Sequence, residues 1–172
     1  MRRCKLKTAK VLSKHFDNRA LDRFGLSLTF QEIRDISNII KNQKKFKVIC
    51  TLESQSNSRT KKVVLFKNKV LPVIYDKIRH TVVTVLSYDM LNDKEKEIIL
   101  TQLNKINAEI DAEKNEYEHQ YMLLQCRLHD ANYSYLVKRV KMQIEELQNK
   151  FSYLNNISKV NIDDVKSEFS IS

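Results

Sequence analysis

Residues 13–33 read SKHFDNRALDRFGLSLTFQEI, and this stretch decides the fold. Its first half predicts a helix that starts at the N-cap candidate Ser13 and carries apolar residues at a four-residue spacing, namely Phe16, Ala20 and Phe24. Gly25 suits the C′ position that ends such a helix. The first half therefore predicts one amphipathic helix with a defined end.

The second half of this stretch predicts the start of another helix. Thr29 and Glu32 have the spacing of a capping box, and Leu28 with Ile33 can form a hydrophobic staple across it. This helix should end near Asn42, and its buried stripe is expected to be Ile33, Ile36, Ile39 and Ile40.

The pattern after these helices changes to strands, expected at 46–52, 62–67, 70–75 and 80–86. Alternation predicts that the first strand directs one set of side chains inward, namely Phe46, Val48, Cys50 and Leu52. Pro72 is expected to place its strand at a sheet edge or to mark a bulge. Short links between the strands predict an antiparallel meander packed on the two helices, which is an α+β fold.

From Asn92 onward the sequence predicts helix almost without interruption, with Asn92 or Asp93 as the cap. Apolar residues step by three and four over about 60 residues, too long a helix to fold back on a small head. The tail is expected to break into a hairpin, at 104–114 or 130–135, or to pair with another chain. A short amphipathic helix is expected at 162–169.

Charge divides the chain into an expected basic head, residues 1–90, and an acidic helical tail, residues 91–172. The head has 20 Lys and Arg against 7 Asp and Glu, and the tail has 11 against 14. A net charge of +13 on a small head predicts attraction of polyanions, so we expect nucleic acid as a partner. An acidic protein partner is the alternative.

Several classes of protein are not expected from the sequence. The three cysteines are far apart, so they suggest no zinc ribbon and no disulfide framework. Paired carboxylates and His/Cys clusters at ligand spacing are missing, so we expect no metal and no cofactor. No apolar run approaches 18 residues, which predicts no membrane segment and a location in the cytoplasm or in a virion.

The first helix carries the strongest candidate for a chemical site. His15, Arg19 and Arg23 stand four apart and therefore share one helix face. An imidazole flanked by permanent cations suits a scissile phosphate, because it can transfer a proton while the guanidinium groups neutralise charge. The alternative is a solvated face on which Asp22 and Asp35 neutralise the arginines.

Residues 15–33, HFDNRALDRFGLSLTFQEI, and 70–87, VLPVIYDKIRHTVVTVLS, resemble small toxin-like proteins of the barnase–colicin–RelE superfamily, in forms related to phage and mobile elements. The resemblance covers about residues 12–88. It implies two helices on a four-stranded antiparallel sheet and a metal-independent endoribonuclease activity. It also implies that Tyr75 and Thr84 project from the sheet toward the cleft that the first helix faces, so the implied catalytic set is His15, Arg19, Arg23, Tyr75 and Thr84.

Two basic clusters flank the polar loop at 54–60 and are candidate contacts to nucleic acid, with solvated strand ends as the alternative: Lys44, Lys45, Lys47, Arg59, Lys61 and Lys62. The expected function is an RNA-directed, metal-independent endoribonuclease-like toxin or phage effector, with RNA a better candidate than DNA. Its tail is expected to form a homo-oligomer or bind a protein. The alternative is a non-enzymatic, nucleic-acid-associated structural or adaptor protein, such as a phage virion component.

Overall fold

The computed structural model describes residues 14–54, 56–155 and 159–171. Two helices, a four-stranded antiparallel sheet and three further helices follow one another, so the α+β class is confirmed. The elements are α1 (14–24), α2 (Phe30–Lys41), β1 (Val48–Ser54), β2 (Arg59–Phe66), β3 (Lys69–Asp76), β4 (Thr81–Val85), a 3-10 turn (Tyr88–Met90), α3 (Asp93–His129), α4 (Ser134–Asn155) and α5 (Ile162–Ile171).

The chain forms two compact units. One contains residues through 104 together with the segment from 160, and the other contains residues 105–159. The boundary expected at 90/91 differs from this division, since the first three turns of α3 and all of α5 belong with the sheet. The second unit has 8 Lys and Arg and 8 Asp and Glu, so the net charge of +10 resides on the first unit.

Short sequence signals on either side of Gly25 set the C-terminal end of α1 and the start of α2, as expected. Gly25 has a φ of +63°, and its amide donates to the Leu21 carbonyl at 2.9 Å, which is the αL motif that ends a helix. Thr29 and Glu32 form a complete capping box at the start of α2. Hydrogen bonds from Lys67 and from Thr29 lower the pKa of Glu32 to about 2. Ser13, the expected cap of α1, lies outside the described residues.

The sheet has the order β1-β2-β3-β4, and α1 and α2 cover one of its faces. The core on that face joins both helices to alternate residues of the strands, with Phe16, Ile36 and Val85 all fully buried. On the opposite face, Lys61 bonds Glu95 in the first turn of α3. Helices therefore lie against both faces of the sheet in this unit.

Pro72 lies in a central strand, so the expectation of an edge or a bulge is wrong. Its carbonyl accepts from the Leu86 amide at 2.7 Å, just beyond the last paired residue of β4. Because the N–H and C=O of one strand residue point the same way, the missing N–H of proline also faces the end of β4. The pairing of β3 with β4 stops at this point, so no N–H donor from residue 72 is required. Pro72 still pairs with Val63 on β2.

The expectation that alternate side chains of β1 point inward without interruption is also wrong. The register with β2 shifts between Val48 and Cys50, and Ile49 is buried there while Cys50 is only half-buried. Phe46 is buried, but it precedes the strand and has a φ of +62°. A bulge in a strand changes which side chains point inward, and this explains the difference.

The second unit is a helical hairpin. Its helices, α3 and α4, are joined by residues 130–133, inside one of the two ranges expected for a break. Near the other end, Lys159 forms an ion pair with Asp111, so the helices lie side by side and antiparallel. The buried residues of α4 keep a spacing of four, three and seven: Val140, Ile144, Leu147 and Leu154.

Candidate nucleic-acid interface

The flank of α1 that carries the expected stripe lies beside the core. Phe16 and Ala20 are fully buried, whereas His15 and Arg19 on the neighbouring flank are exposed and Arg23 is half-buried. The helical spacing therefore gives the stripe that the sequence predicts, with its three residues about a turn apart. The accessible part of this stripe is formed by His15 and Arg19.

Arg23 has a specific structural contact. Its Nη1 donates to the carbonyl oxygen of Val85, the last residue of β4. The neighbouring Phe24 ring packs edge-on against Tyr88, with 5.1 Å between ring centroids. These contacts fix the C-terminal end of α1 at the C-terminal end of β4, so Arg23 is partly engaged in holding the fold.

Carboxylates do not neutralise the stripe through ion pairs among the described residues. Asp17 accepts from the Leu28 amide at 2.7 Å, and Asp35 accepts from the Gln31 side chain. The pKa of Asp89 lies below its usual value chiefly because Ser87 bonds to it, and the charge of Arg23 contributes. The guanidinium of Arg19 has no ion-pair partner in the part of the chain described.

Thr84 does not converge with the stripe of α1. Thr84 pairs with Ile74, and Val85 pairs with Val73, whose side chain belongs to the core under α1 and α2. Neighbouring positions along a strand face opposite sides of a sheet, so Thr84 lies on the face away from α1. Tyr75 does lie on the α1 side, within the core cluster.

The phenol of Tyr75 lies close to an imidazole. Its Oη is 3.3 Å from Nδ1 of His80, which is exposed at the end of the β3–β4 turn. Burial raises the pKa of Tyr75 above its ordinary value, and the charge of Asp76 raises it further. The buried hydroxyl of Thr60, paired with Tyr75 in the sheet, has no hydrogen-bond partner among the described residues. Tyr75 and His80 thus place a phenol and an imidazole within hydrogen-bond distance of each other.

Half of the six basic residues that were expected to contact nucleic acid make specific contacts within the fold. Lys61 forms a buried ion pair with Glu95 at 2.8 Å, and Lys62 donates to the hydroxyl of Thr51. Burial lowers the pKa of Lys62, and the charge of Lys77 contributes. The ammonium of Lys45 lies over the Phe46 ring. The remaining three are half-buried or exposed: Lys47, Lys44 and Arg59.

A second basic surface, which the sequence marked only as a turn, lies between β3 and β4. We call it the basic turn; it consists of Lys77, Ile78, Arg79 and His80, together with Arg59, whose Cα is paired with Asp76. Its side chains are all exposed, and Ile78 is 76% accessible. Its three cations form no ion pair with any residue that the structure describes.

Asp76 fixes the conformation of the basic turn. Its buried carboxylate accepts from the amides of Ile78 and Arg79, both at 2.9 Å. The Lys77 amide donates to the carbonyl of Ser58 at 2.8 Å, which ties the turn to the neighbouring loop. A cationic turn with an ordered backbone loses little conformational entropy when it binds a ligand.

Among the described residues, no group of three or more His, Cys, Asp or Glu side chains is arranged to hold a metal ion. Within the same residues, no helix combines the length and apolar character needed to cross a bilayer.

No protein-family model, no curated protein and no solved structure matches the chain. The resemblance to the barnase–colicin–RelE superfamily therefore stays a prediction, and the site is interpreted from its own geometry.

Proposed function

We propose that the first unit binds nucleic acid, with RNA as the expected ligand, through the basic turn and the exposed flank of α1. The observation that carries this proposal is the basic turn, where Arg59, Lys77 and Arg79 are exposed and form no ion pair with described residues. A cation already paired with a carboxylate gains less from a phosphate, so unpaired cations favour a polyanionic ligand. The exposed Ile78 offers an apolar surface beside them.

Charge distribution supports a polyanion over a neutral ligand. The net charge of the first unit, +10, attracts a phosphate backbone and releases condensed counterions on binding. This mechanism needs no metal and no cofactor. Binding of this kind suits a structural or adaptor protein on nucleic acid as well as a toxin or phage effector.

Removal of two cations from the basic turn is expected to weaken RNA binding. We predict that Lys77→Ala/Arg79→Ala raises the Kd for a single-stranded RNA by about tenfold or more and lowers the salt slope by about 2, because two phosphate contacts are lost. Fluorescence anisotropy with a labelled RNA, at several salt concentrations and in EDTA, measures both quantities. A DNA of the same sequence tests the preference for RNA.

The matched control is Lys105→Ala/Lys150→Ala, which removes two exposed cations from the second unit. It is expected to change the Kd less than about twofold, since neither lysine belongs to the proposed interface. An equal loss of affinity in both double variants would contradict a localised interface. Arg19→Ala, compared in the same assay, tests the flank of α1.

Endoribonuclease activity is a second candidate, and the contact between Tyr75 and His80 favours it. An imidazole beside a phenol can shuttle a proton to or from a ribose 2′-hydroxyl, as metal-independent cleavage requires. In this case the protein, incubated with RNA in EDTA, is expected to leave 2′,3′-cyclic phosphate ends. His80→Ala should lower the cleavage rate at least 100-fold, and His15→Ala tests the stripe of α1. RNA that stays intact at saturating protein would sink this candidate and leave the binding proposal standing.

A further inference from the structure

An apolar groove runs along one side of the helical hairpin, between α3 and α4. It has a volume of about 390 Å³, and Tyr117, Tyr121 and Met122 of α3 line it opposite Leu147 and Phe151 of α4. Met122 is 62% exposed and Tyr121 37% exposed. Covering an apolar surface of this kind removes it from water and is favourable, so the groove predicts a partner.

Charge along the hairpin is separated into two halves of opposite sign. The distal half, residues 119–144, contains the loop and the eleven residues of each helix next to it; the proximal half contains 105–118 and 145–159. The distal half has four cations and one carboxylate, a net charge of +3: Arg127, Lys138, Arg139, Lys141 and Asp130. The proximal half has 4 Lys and 7 Asp or Glu, a net charge of −3.

The groove adjoins the boundary between these halves. Its lining residues lie at 117–122 on α3 and 147–151 on α4, next to the boundaries at 118/119 and 144/145. A twofold axis that passes through the groove perpendicular to the helices brings the distal half of one hairpin against the proximal half of another. The charges +3 and −3 then face each other twice in one symmetric pair.

We propose that a second copy of this chain occupies the groove, with the two hairpins packed antiparallel as a four-helix bundle. A parallel pair would put like charges together at both ends, which disfavours it. The apolar lining supplies the attraction, and the charge pattern sets the orientation. This proposal does not depend on the ligand of the first unit.

A charged side chain in the groove is expected to separate the pair. The wild-type chain, measured by sedimentation equilibrium at micromolar concentrations, should give twice its 20.4 kDa mass. Met122→Lys should raise the dimer Kd at least tenfold, because an ammonium group would be buried against Leu147 or Phe151. The matched control is Met142→Lys, since Met142 is 54% exposed and lies about 150° around α4 from its buried residues. It should leave the Kd unchanged.

Charge reversal tests whether the charge pattern governs the pair, and mixing a reversed variant with wild type tests the orientation. One variant reverses the distal half, Lys138→Glu/Arg139→Glu/Lys141→Glu, and the other reverses three exposed proximal carboxylates outside the groove, Glu116→Lys/Glu145→Lys/Glu146→Lys. Each variant alone should be monomeric at low salt, and an equimolar mixture should form a heterodimer. Circular dichroism checks that both variants keep their helices.

Three outcomes would overturn the proposal. If the wild-type chain is monomeric at 100 μM, roughly the weakest Kd expected of a functional dimer, the groove does not bind a second copy and its partner is a different protein. Equal effects of Met122→Lys and Met142→Lys would show that the groove is not the interface. A distal-half variant that pairs better with wild type than wild type pairs with itself would show a parallel arrangement.

Discussion

Replacement of Phe16 by alanine is expected to lower the free energy of unfolding of the first unit by about 3–5 kcal/mol. Phe16 is fully buried, and its cluster joins α1 to α2 and to the sheet, including Ile36 and Val85. The substitution removes the apolar transfer free energy of the ring and leaves a cavity that a close-packed core fills only in part. This loss is a large fraction of the stability of an ordinary domain.

The effect is measured by urea denaturation followed by circular dichroism, with His15→Ala as the control. His15 is the neighbouring residue on α1 and is exposed, so its truncation should change the free energy of unfolding by less than about 0.5 kcal/mol. Similar losses in the two variants would mean that α1 is not anchored through Phe16. Because α1 also carries Arg19, we expect Phe16→Ala to weaken RNA binding as well, whereas Arg19→Ala should affect binding alone.

Elements with a local chemical signal could be predicted from the sequence. The αL ending at Gly25 needs only a residue that tolerates a positive φ, and the capping box needs only Thr29 and Glu32 at the right spacing. The break in the tail near 130–133 was one of two predicted positions. Such features depend on a few neighbouring residues, so no knowledge of the tertiary fold is required.

The face on which Thr84 lies could not be predicted, because it depends on one inserted residue. Tyr75 pairs with Val82, but Ile74 pairs with Thr84, so Val83 is an extra residue in β4. Without this bulge, Thr84 would pair with Val73 and point toward α1, where simple alternation predicts it. The bulge moves Thr84 to the opposite face and separates it from the stripe of α1.

The basic turn was not identified from the sequence for a similar reason. Asp76-Lys77 indicates a turn, but the exposure of Arg79 and Ile78 depends on where the sheet ends and on which loop packs beside it. The pairing that brings Arg59 next to the turn is also a tertiary feature. Basic clusters that are contiguous in sequence were easier to recognise, although the fold engages part of them.

Lys61 is the clearest example of a cation that the fold engages. It lies on the face of the sheet that α3 covers, and its ammonium is 2.8 Å from Oε1 of Glu95. Glu95 also completes a capping box: its Oε2 accepts from the Asn92 amide, and its own amide donates to Asn92 Oδ1. The side chains of Lys61 and Glu95 are only 17% and 8% exposed, so water screens their interaction weakly.

Lys61→Ala is therefore expected to destabilise the first unit by about 3 kcal/mol, because it leaves a buried carboxylate without its cation. RNA affinity at a temperature where the variant is folded should stay within about twofold of the wild type, since the ammonium is not available to a phosphate. Urea denaturation and fluorescence anisotropy measure the two quantities on the same preparation. Arg59→Ala, two residues away and exposed, should show the opposite pattern, with unchanged stability and weaker binding.

A double replacement separates the ion pair from the capping box. Lys61→Met/Glu95→Gln removes both charges but keeps a side chain at position 95 that can accept from the Asn92 amide. Its stability should lie within about 1 kcal/mol of the wild type, because a buried ion pair contributes little beyond the desolvation of its two charges. If Lys61→Ala left the stability unchanged and lowered RNA affinity as much as Arg59→Ala, Lys61 would be a phosphate contact, as the sequence alone predicts. The nucleic-acid interface would then extend onto the face of the sheet that carries α3.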